Sequence, residues 1–353
     1  MISFYPGPSQ VYPEVPQFVK DAYEAGLLSA NHRSQEFVEV SMNTLRLLRE
    51  KLNIPEDYSI FFASSATECW EIISQSLVKT GSCHFYNGAF GEKWYHYALK
   101  LQPNAMAYPF TLEQALPLPD ETLPDWAELI AVTHNETSNG TAVDRRILAT
   151  IKKQYPDKLL AVDATSSMAG AALDFLLADV WYASVQKCFG LPAGMAVLIC
   201  SPQAMDHAAK IGERNHYNSL LYLQDMMQKY QTTYTPNVLN IYLLMRIMDM
   251  RPDIRVTEQK LKQRFGQLRQ CIAKLSDVRL LVQDEGLCSL TVIPFMAKKH
   301  KIDELRSLAK EQGMVLGNGY GKWKETSLRI ANFPALSDAN ILRLQQFLLT
   351  QPS

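Results

Sequence analysis

Apolar positions along the chain follow two periods, and their alternation predicts the architecture. From Ser34 to Leu52 the apolar residues Phe37, Val38, Val40, Leu45, Leu48 and Leu52 follow a helical spacing. The middle of the chain then alternates short apolar runs with helical patterns. Strands are predicted at Tyr58–Phe62, Cys83–Tyr86, Leu129–Thr133, Leu159–Val162, Val180–Val185 and Met195–Cys200. Helices are predicted at Thr67–Val78, Gly91–Leu101 and Asp144–Tyr155. Buried strands alternating with helices argue for an α/β fold whose mostly parallel sheet is covered on both faces. In such sheets ligands sit outside the carboxyl ends of the strands.

The pattern changes near Tyr234–Asn237. Helical stretches follow at Val238–Met250 and Val256–Leu275. Beyond them come strand-like pieces at Val278–Val282, Cys288–Val292 and Ser327–Ile330, and helices at Ile302–Gln312 and Asp338–Leu349. This predicts a smaller α+β domain at the C-terminus. The division is an N-terminal arm over 1–15, a large domain over 16–250 and a small domain over 251–353. The first thirty residues, rich in proline and aromatics, are expected to pack as an arm on another surface.

Composition narrows the function classes. The 353 residues are 47% hydrophobic and 20% charged, with a formal net charge of −1, so nothing favours nucleic acid or an anionic membrane as a partner. No apolar run approaches membrane-spanning length, and Met1–Pro8 lacks the basic and apolar regions of a secretory leader. The six cysteines are scattered without metal-ligand spacing, so free thiols in a reducing cytoplasm are expected. His96, His207, His216 and His300 have no mutual spacing for a metal, and none is expected. Met42, Met245, Met248 and Met250 read as packing, and Lys298–Lys301 as a solvated stretch.

The chemistry concentrates after four strands. Val180–Val185 delivers Gln186-Lys187 to a Gly/Pro turn. A lysine at a buried strand end has a lowered pKa, which suits Schiff-base chemistry; a lysine that snorkels to the surface would read the same way. After Tyr58–Phe62 come Ser64-Ser65-Ala66-Thr67-Glu68 at a helix start, either a phosphate site or an ordinary N-cap. Leu129–Thr133 leads into His134-Asn135-Glu136-Thr137-Ser138-Asn139-Gly140, a ligand loop or a plain turn. Asp163-Ala164-Thr165 follows Leu159–Val162, and an aspartate there needs a cation. A parallel sheet puts all four on one edge. Pyridoxal 5′-phosphate needs that set: a lysine for its aldehyde, an aspartate for its ring nitrogen and a helix start for its phosphate.

These residues resemble the class V aminotransferases of pyridoxal-phosphate fold type I, over nearly the whole chain. Within that family they are most similar to the members acting on a phosphorylated three-carbon substrate. Asn31–Phe37 is similar to the family's His-Arg-Ser-x-Glu-Phe segment, which implies that His32 and Arg33 face the substrate's distal acidic group. Asn87–Gly91 resembles the loop whose aromatic stacks on the cofactor, here Phe90 in place of the usual Trp. Asn135–Gly140 is similar to Asn-Glu-Thr-x-x-Gly, with Thr137 on the cofactor. The resemblance implies catalytic roles for Lys187 and Asp163. It implies cofactor contacts by Ser65, Ala66, Thr67, Thr165 and Gln186, and by Tyr234 and Thr235 toward a neighbouring subunit. Arg329, in Ser327–Ile330, would bind the substrate α-carboxylate.

The fold so implied is a mostly parallel seven-stranded sheet with helices on both faces plus the small α+β domain. The implied reaction is ping-pong transfer between an amino acid, glutamate, and a 2-oxo acid, in a homodimer with shared active sites. Departures bear on the substrate. Ser64–Thr67 replaces a Gly-rich turn and its arginine, Lys322-Trp323 replaces a late His-Arg pair, and Tyr234 replaces an asparagine. Each lost charged hydrogen bond is worth about 1.5–3 kcal/mol, leaving His32, Arg33 and Lys322 as the expected anion holders. An aminotransferase for unphosphorylated serine or alanine fits the same motifs, whereas Lys187, Asp163 and Arg329 together argue against a non-catalytic scaffold, which has no chemical need for all three. A desulfurase-like reading lacks a cysteine in Gly313–Thr326, and no G-x-G-x-x-G supports a dinucleotide enzyme.

Overall fold

The computed structural model describes residues 1–118 and 122–350. Its first part runs β1 (Ile2–Phe4), α1 (Val15–Glu24), α2 (Gln35–Leu52), β2 (Ser59–Ala63), α3 (Ala66–Ser76), β3 (Gly81–Tyr86), α4 (Ala89–Leu101), β4 (Asn104–Pro109) and β5 (Leu129–Thr133). A two-residue pair, β6 (Asn135–Glu136) and β7 (Thr141–Ala142), precedes α5 (Arg145–Gln154), β8 (Leu159–Asp163), β9 (Val180–Ser184) and β10 (Ala196–Cys200). Then come α6 (Pro202–Ile211), α7 (Leu220–Met227), α8 (Val238–Met250), α9 (Ile254–Ala273), β11 (Arg279–Leu280), β12 (Val292–Met296), α10 (Lys299–Glu311), β13 (Met314–Asn318), β14 (Ser327–Ala331) and α11 (Asp338–Leu349).

Seven strands form the central sheet in the order β2-β10-β9-β8-β5-β3-β4. Neighbours from β9 to β4 are parallel, while β10 runs antiparallel to both β9 and β2. The α/β class is as the periodicity implied. Successive strand residues point to opposite faces, and the core divides accordingly. Phe62, Val162, Trp181 and Val197 pack with α2 and α8 through Leu48, Ile241 and Leu244. Their neighbours Phe61, Ala161, Tyr182 and Leu198 pack with α3, α4, α6 and α7 through Ile72, Trp94, Ala204 and Leu220. All five residues of each of β5, β8, β9 and β10 are buried, which is why those runs are continuously apolar.

The second sheet has the order β1-β13-β14-β12-β11 and packs Phe4, Phe295, Leu328 and Ile330 against α9, α10 and α11. The expected arm therefore contributes a strand: β1 pairs parallel with β13, Phe4 opposite Leu316. It also contributes α1, which buries Val15, Phe18 and Ala22. The strand expected at Cys288–Val292 lies instead at β12, and Pro294 in its middle explains the misreading. Proline lacks a donor and is normally kept out of strand interiors. Here the Pro294 carbonyl accepts from Leu281 N–H at 3.1 Å, so the missing donor faces the short edge strand and not the long ladder with β14. Among the described residues no helix is long and apolar enough to cross a membrane.

Candidate active site

Carboxyl ends of the parallel strands open into a cavity of about 820 Å³. Its floor is lined by Thr133, Asn135, Thr137, Asp163, Thr165, Ser184, Gln186 and Lys187, residues that end or follow β5, β8 and β9. Ala66, Thr67 and Phe90 line it from the starts of α3 and α4, and Arg329, Asn318 and Tyr320 from the second sheet. Tyr5–Pro8 covers it from the N-terminal side. Ser9 fastens that strap, its N–H donating to the Gln186 carbonyl at 3.0 Å.

Lys187 is buried and donates to two hydroxyls, Thr137 Oγ1 at 2.7 Å and Ser166 Oγ at 3.0 Å. The two hydroxyls also bond each other. Burial lowers the amine's pKa to about 8, against the opposing charges of Asp163 and Glu136. The Phe90 ring centroid lies 5.1 Å from its Nζ.

Asp163 closes β8 and is equally buried. Its Oδ1 accepts from Thr165 N–H at 2.8 Å. Burial raises its pKa, while hydrogen bonds from Thr165, the Lys187 charge and the Tyr182 hydroxyl oppose the rise. Tyr182 in turn accepts from Trp70 Nε1 at 2.7 Å. The carboxylate is thus oriented by neutral donors and forms no ion pair among the described residues.

Arg329 enters from β14. Its Nε donates to the Asn318 carbonyl at 2.7 Å and its Nη1 to the Thr137 carbonyl at 2.7 Å. Burial lowers its pKa. A guanidinium fixed by carbonyls, with no carboxylate partner among the described residues, is prepared for an external anion.

Glu136 explains how the loop after β5 places Phe90. Its carboxylate accepts from Phe90 N–H at 3.1 Å, Gly91 N–H at 3.2 Å and the Ser138 N–H and hydroxyl at 2.8 and 2.6 Å. A carboxylate on the free N–H groups of a helix start is favourable, and it locks the first turn of α4. The fit admits only glycine at 88, where a Cβ would lie 2.3 Å from Glu136 Cγ.

A class V aminotransferase family model matches residues 3–322. The chain belongs to the class V aminotransferases. It is accordingly a pyridoxal-phosphate-dependent aminotransferase. The crystal structure of a phosphoserine aminotransferase from Cytophaga hutchinsonii superposes with a TM-score of 0.94 at 31% identity, covering 100% of this chain and 99% of that one. The phosphoserine aminotransferase of Rhodococcus opacus is 26% identical over 350 residues, 96% of this chain and 91% of the relative. An aspartate aminotransferase from Thermus thermophilus shares the fold, with a TM-score of 0.86 at 18% identity.

The residues in place fit the cofactor. Thr133 Oγ1, Thr165 Oγ1 and Gln186 Oε1 all line the cavity as buried polar atoms without a hydrogen-bond partner, and unsatisfied buried polar groups are rare unless a ligand completes them. At the start of α3, Ser65 caps Glu68 N–H at 3.1 Å and Ser184 takes Ala66 N–H at 3.0 Å. Thr67 N–H has no partner among the described residues, which leaves it for a phosphate.

Other expected site residues lie elsewhere. His32, Arg33, Tyr234 and Thr235 do not line the cavity of their own chain. Arg33 Nη1 donates to Gln231 Oε1 at 3.0 Å, joining the two segments that carry them. Lys322 lies over its own Trp323 ring at 4.7 Å and lines a separate cavity of about 630 Å³. Lys324, two residues on, lines the central cavity instead, because the Gly321–Trp323 turn separates the two side chains. Motif reading also missed Ser166, Tyr182, Trp70, Lys93 and Tyr320. Of these, only Tyr182 carried a signal, as a polar ring between the apolar residues Trp181 and Ala183 of a buried strand.

Proposed function

We propose that the protein transfers an amino group from glutamate to 3-phosphohydroxypyruvate, giving phosphoserine and 2-oxoglutarate. The observation that carries this reading is the charge of the cavity. Lys93, Lys187, Lys324 and Arg329 line it against a single carboxylate, Asp163. Lys187 is taken up by the chemistry, and the other three cations suit a phosphate-bearing cofactor together with a substrate carrying a second anion besides its α-carboxylate. Likeness to the Cytophaga enzyme over the full chain supports it.

Bound pyridoxal phosphate supplies an electron sink that acidifies the substrate's Cα–H. Everything else comes from the chain. Arg329 orients the α-carboxylate. Lys187, with its pKa near 8, is a base matched to neutral or slightly alkaline pH, and takes and returns the proton at Nζ. Thr137 and Ser166 hold that amine when it is free. Asp163, aimed by Thr165 and Tyr182, would hold the cofactor's ring nitrogen and favour its protonated form with its negative charge. Thr67 and Ser65 serve the phosphate, and Phe90 the ring face.

In this reading the protein is a cytoplasmic homodimer. Of the expected residues that do not line their own cavity, His32, Arg33, Tyr234 and Thr235 serve the partner's cavity. Six free cysteines suit a reducing compartment.

The test is a donor screen read from the cofactor's absorbance, one half-reaction at a time. Phosphoserine and glutamate should convert the cofactor to its amine form at matched low concentrations. Conversion by alanine or serine but not by phosphoserine would replace this reading with that of an aminotransferase for unphosphorylated substrates.

A further inference from the structure

We infer that Lys93, oriented by Tyr320, is a further residue that selects substrates with a distal anion, acting from within its own cavity. The inference rests on the transamination reading above and names a residue for it that lies outside every motif the sequence presents. Lys93 follows Phe90 by three positions on α4, so the two side chains share a helix face. Its Nζ lies 5.4 Å from the Phe90 ring centroid and 5.3 Å from that of Tyr320. It donates to the Tyr320 hydroxyl at 2.6 Å.

Tyr320 is the link between the two anion-binding groups. The Arg329 guanidinium carbon lies 5.4 Å from the same ring, so one tyrosine is within reach of both cations. For an amino acid whose α-carboxylate sits on Arg329, Lys93 is the other cation bordering the same ring. Phe90 and Tyr320 themselves meet at 5.4 Å between centroids, and Lys93 lines the same cavity beside them.

The charge on Lys93 has no carboxylate partner among the described residues, only a phenol and two ring faces. That distinguishes it from Lys152 or Lys299, which are paired with acids at 2.5 Å. An unpaired ammonium at a cavity wall, held in one direction by a short hydrogen bond, is an anion site waiting for its anion. Lys93 is also exposed, so its replacement removes a charge without opening a hole in the core.

The experiment uses the wild-type holoenzyme and the variants Lys93→Met, Lys93→Arg and Tyr320→Phe. The kcat/KM of each half-reaction is measured with phosphoserine, glutamate and alanine. Lys93→Met should lower kcat/KM for phosphoserine by about 20- to 100-fold, the worth of one charged hydrogen bond, mostly through KM. Alanine, with no distal anion, should change by less than about twofold. Lys93→Arg should recover most of the loss, and Tyr320→Phe should show a smaller loss of the same pattern. An equal fall with alanine, or no fall with phosphoserine, overturns the inference while leaving the proposed reaction standing. If the wild type does not use phosphoserine, the proposed reaction fails on its own. Glutamate then decides about Lys93: a selective fall with Lys93→Met supports the subsite, and an unchanged rate overturns it.

Discussion

Two buried aspartates on neighbouring strands have opposite fates. Asp179, just before β9, lies at the amino edge of the sheet, and Asp163 ends β8 at the carboxyl edge. Asp179 accepts from Lys152 at 2.5 and 2.6 Å, from Leu160 N–H at 2.8 Å and from Ser201 Oγ at 3.1 Å. Its lone pairs and its charge are satisfied by the chain itself. Asp163 has Lys187 nearby, but the lysine is bonded to hydroxyls and the carboxylate to neutral donors. One edge is a finished structural ion pair. The other holds the same two residue types apart, with three unpartnered polar atoms around them. What marks a functional group in this fold is the interaction it lacks.

Lysine replacements should break that comparison most sharply. Lys187→Ala should lower transamination by about four orders of magnitude or more, with little loss of stability, since it removes a buried charge that burial disfavours. Lys152→Ala should leave kcat per folded molecule unchanged but lower stability by about 2–4 kcal/mol, because it strands Asp179 without its cation. Turnover and urea denaturation on the two proteins measure both halves.

The aspartates should divide in the same way with smaller effects. Asp163→Asn keeps the shape and removes the charge facing the cofactor, so kcat should fall about 10²- to 10³-fold with stability nearly unchanged. Asp179→Asn should do the reverse, losing stability and sparing kcat.

A pH series sharpens the lysine half. The folded pKa of Lys187 is lowered to about 8 from the ordinary 10.5. Between those two values the unfolded chain holds a proton that the folded chain has released, so stability contributed by this group rises with pH across that window. Below about pH 8 both states hold the proton, and the desolvation of the buried ammonium opposes folding in full. Denaturation of the cofactor-free protein at pH 7.5, 9 and 10 should show that rise, and Lys187→Met should flatten it. Identical slopes in the two proteins would contradict the buried, undercompensated state of the lysine.

How far the sequence carried depended on whether neighbours in space were also neighbours in chain. Strands β5, β8, β9 and β10 are continuous apolar runs, and the residues following β2, β5, β8 and β9 could be placed on one edge from topology alone. Lys187, Asp163 and Thr137 were legible for that reason, while Arg329, on β14 of the other sheet, came only from the family resemblance. The edge strand β4, with Asn104 and Met106 opposite Gly81 and Cys83, was not, since an edge carries no continuous apolar signal. Nor was β1, three residues that are strand only because their partners in β13, Met314 to Leu316, lie 312 positions further along the chain. Lys322 was named from the family's late His-Arg pair and Lys324 was missed, because the sequence does not show which way a short 3₁₀ turn directs two lysines two positions apart. Tyr320 and Lys93 come from different sheets and helices, and nothing local to either announces that they touch.

The central claim is that the carboxyl edge is left incomplete by the chain and completed by the cofactor. Thermal unfolding with and without pyridoxal phosphate tests it on wild type, Asp163→Asn and Asp179→Asn. A ligand that binds only the folded state raises Tm according to its affinity. The cofactor should raise Tm strongly in wild type, by the same increment in Asp179→Asn from a lower baseline, and by a clearly smaller increment in Asp163→Asn. Equal increments in all three proteins would contradict the claim.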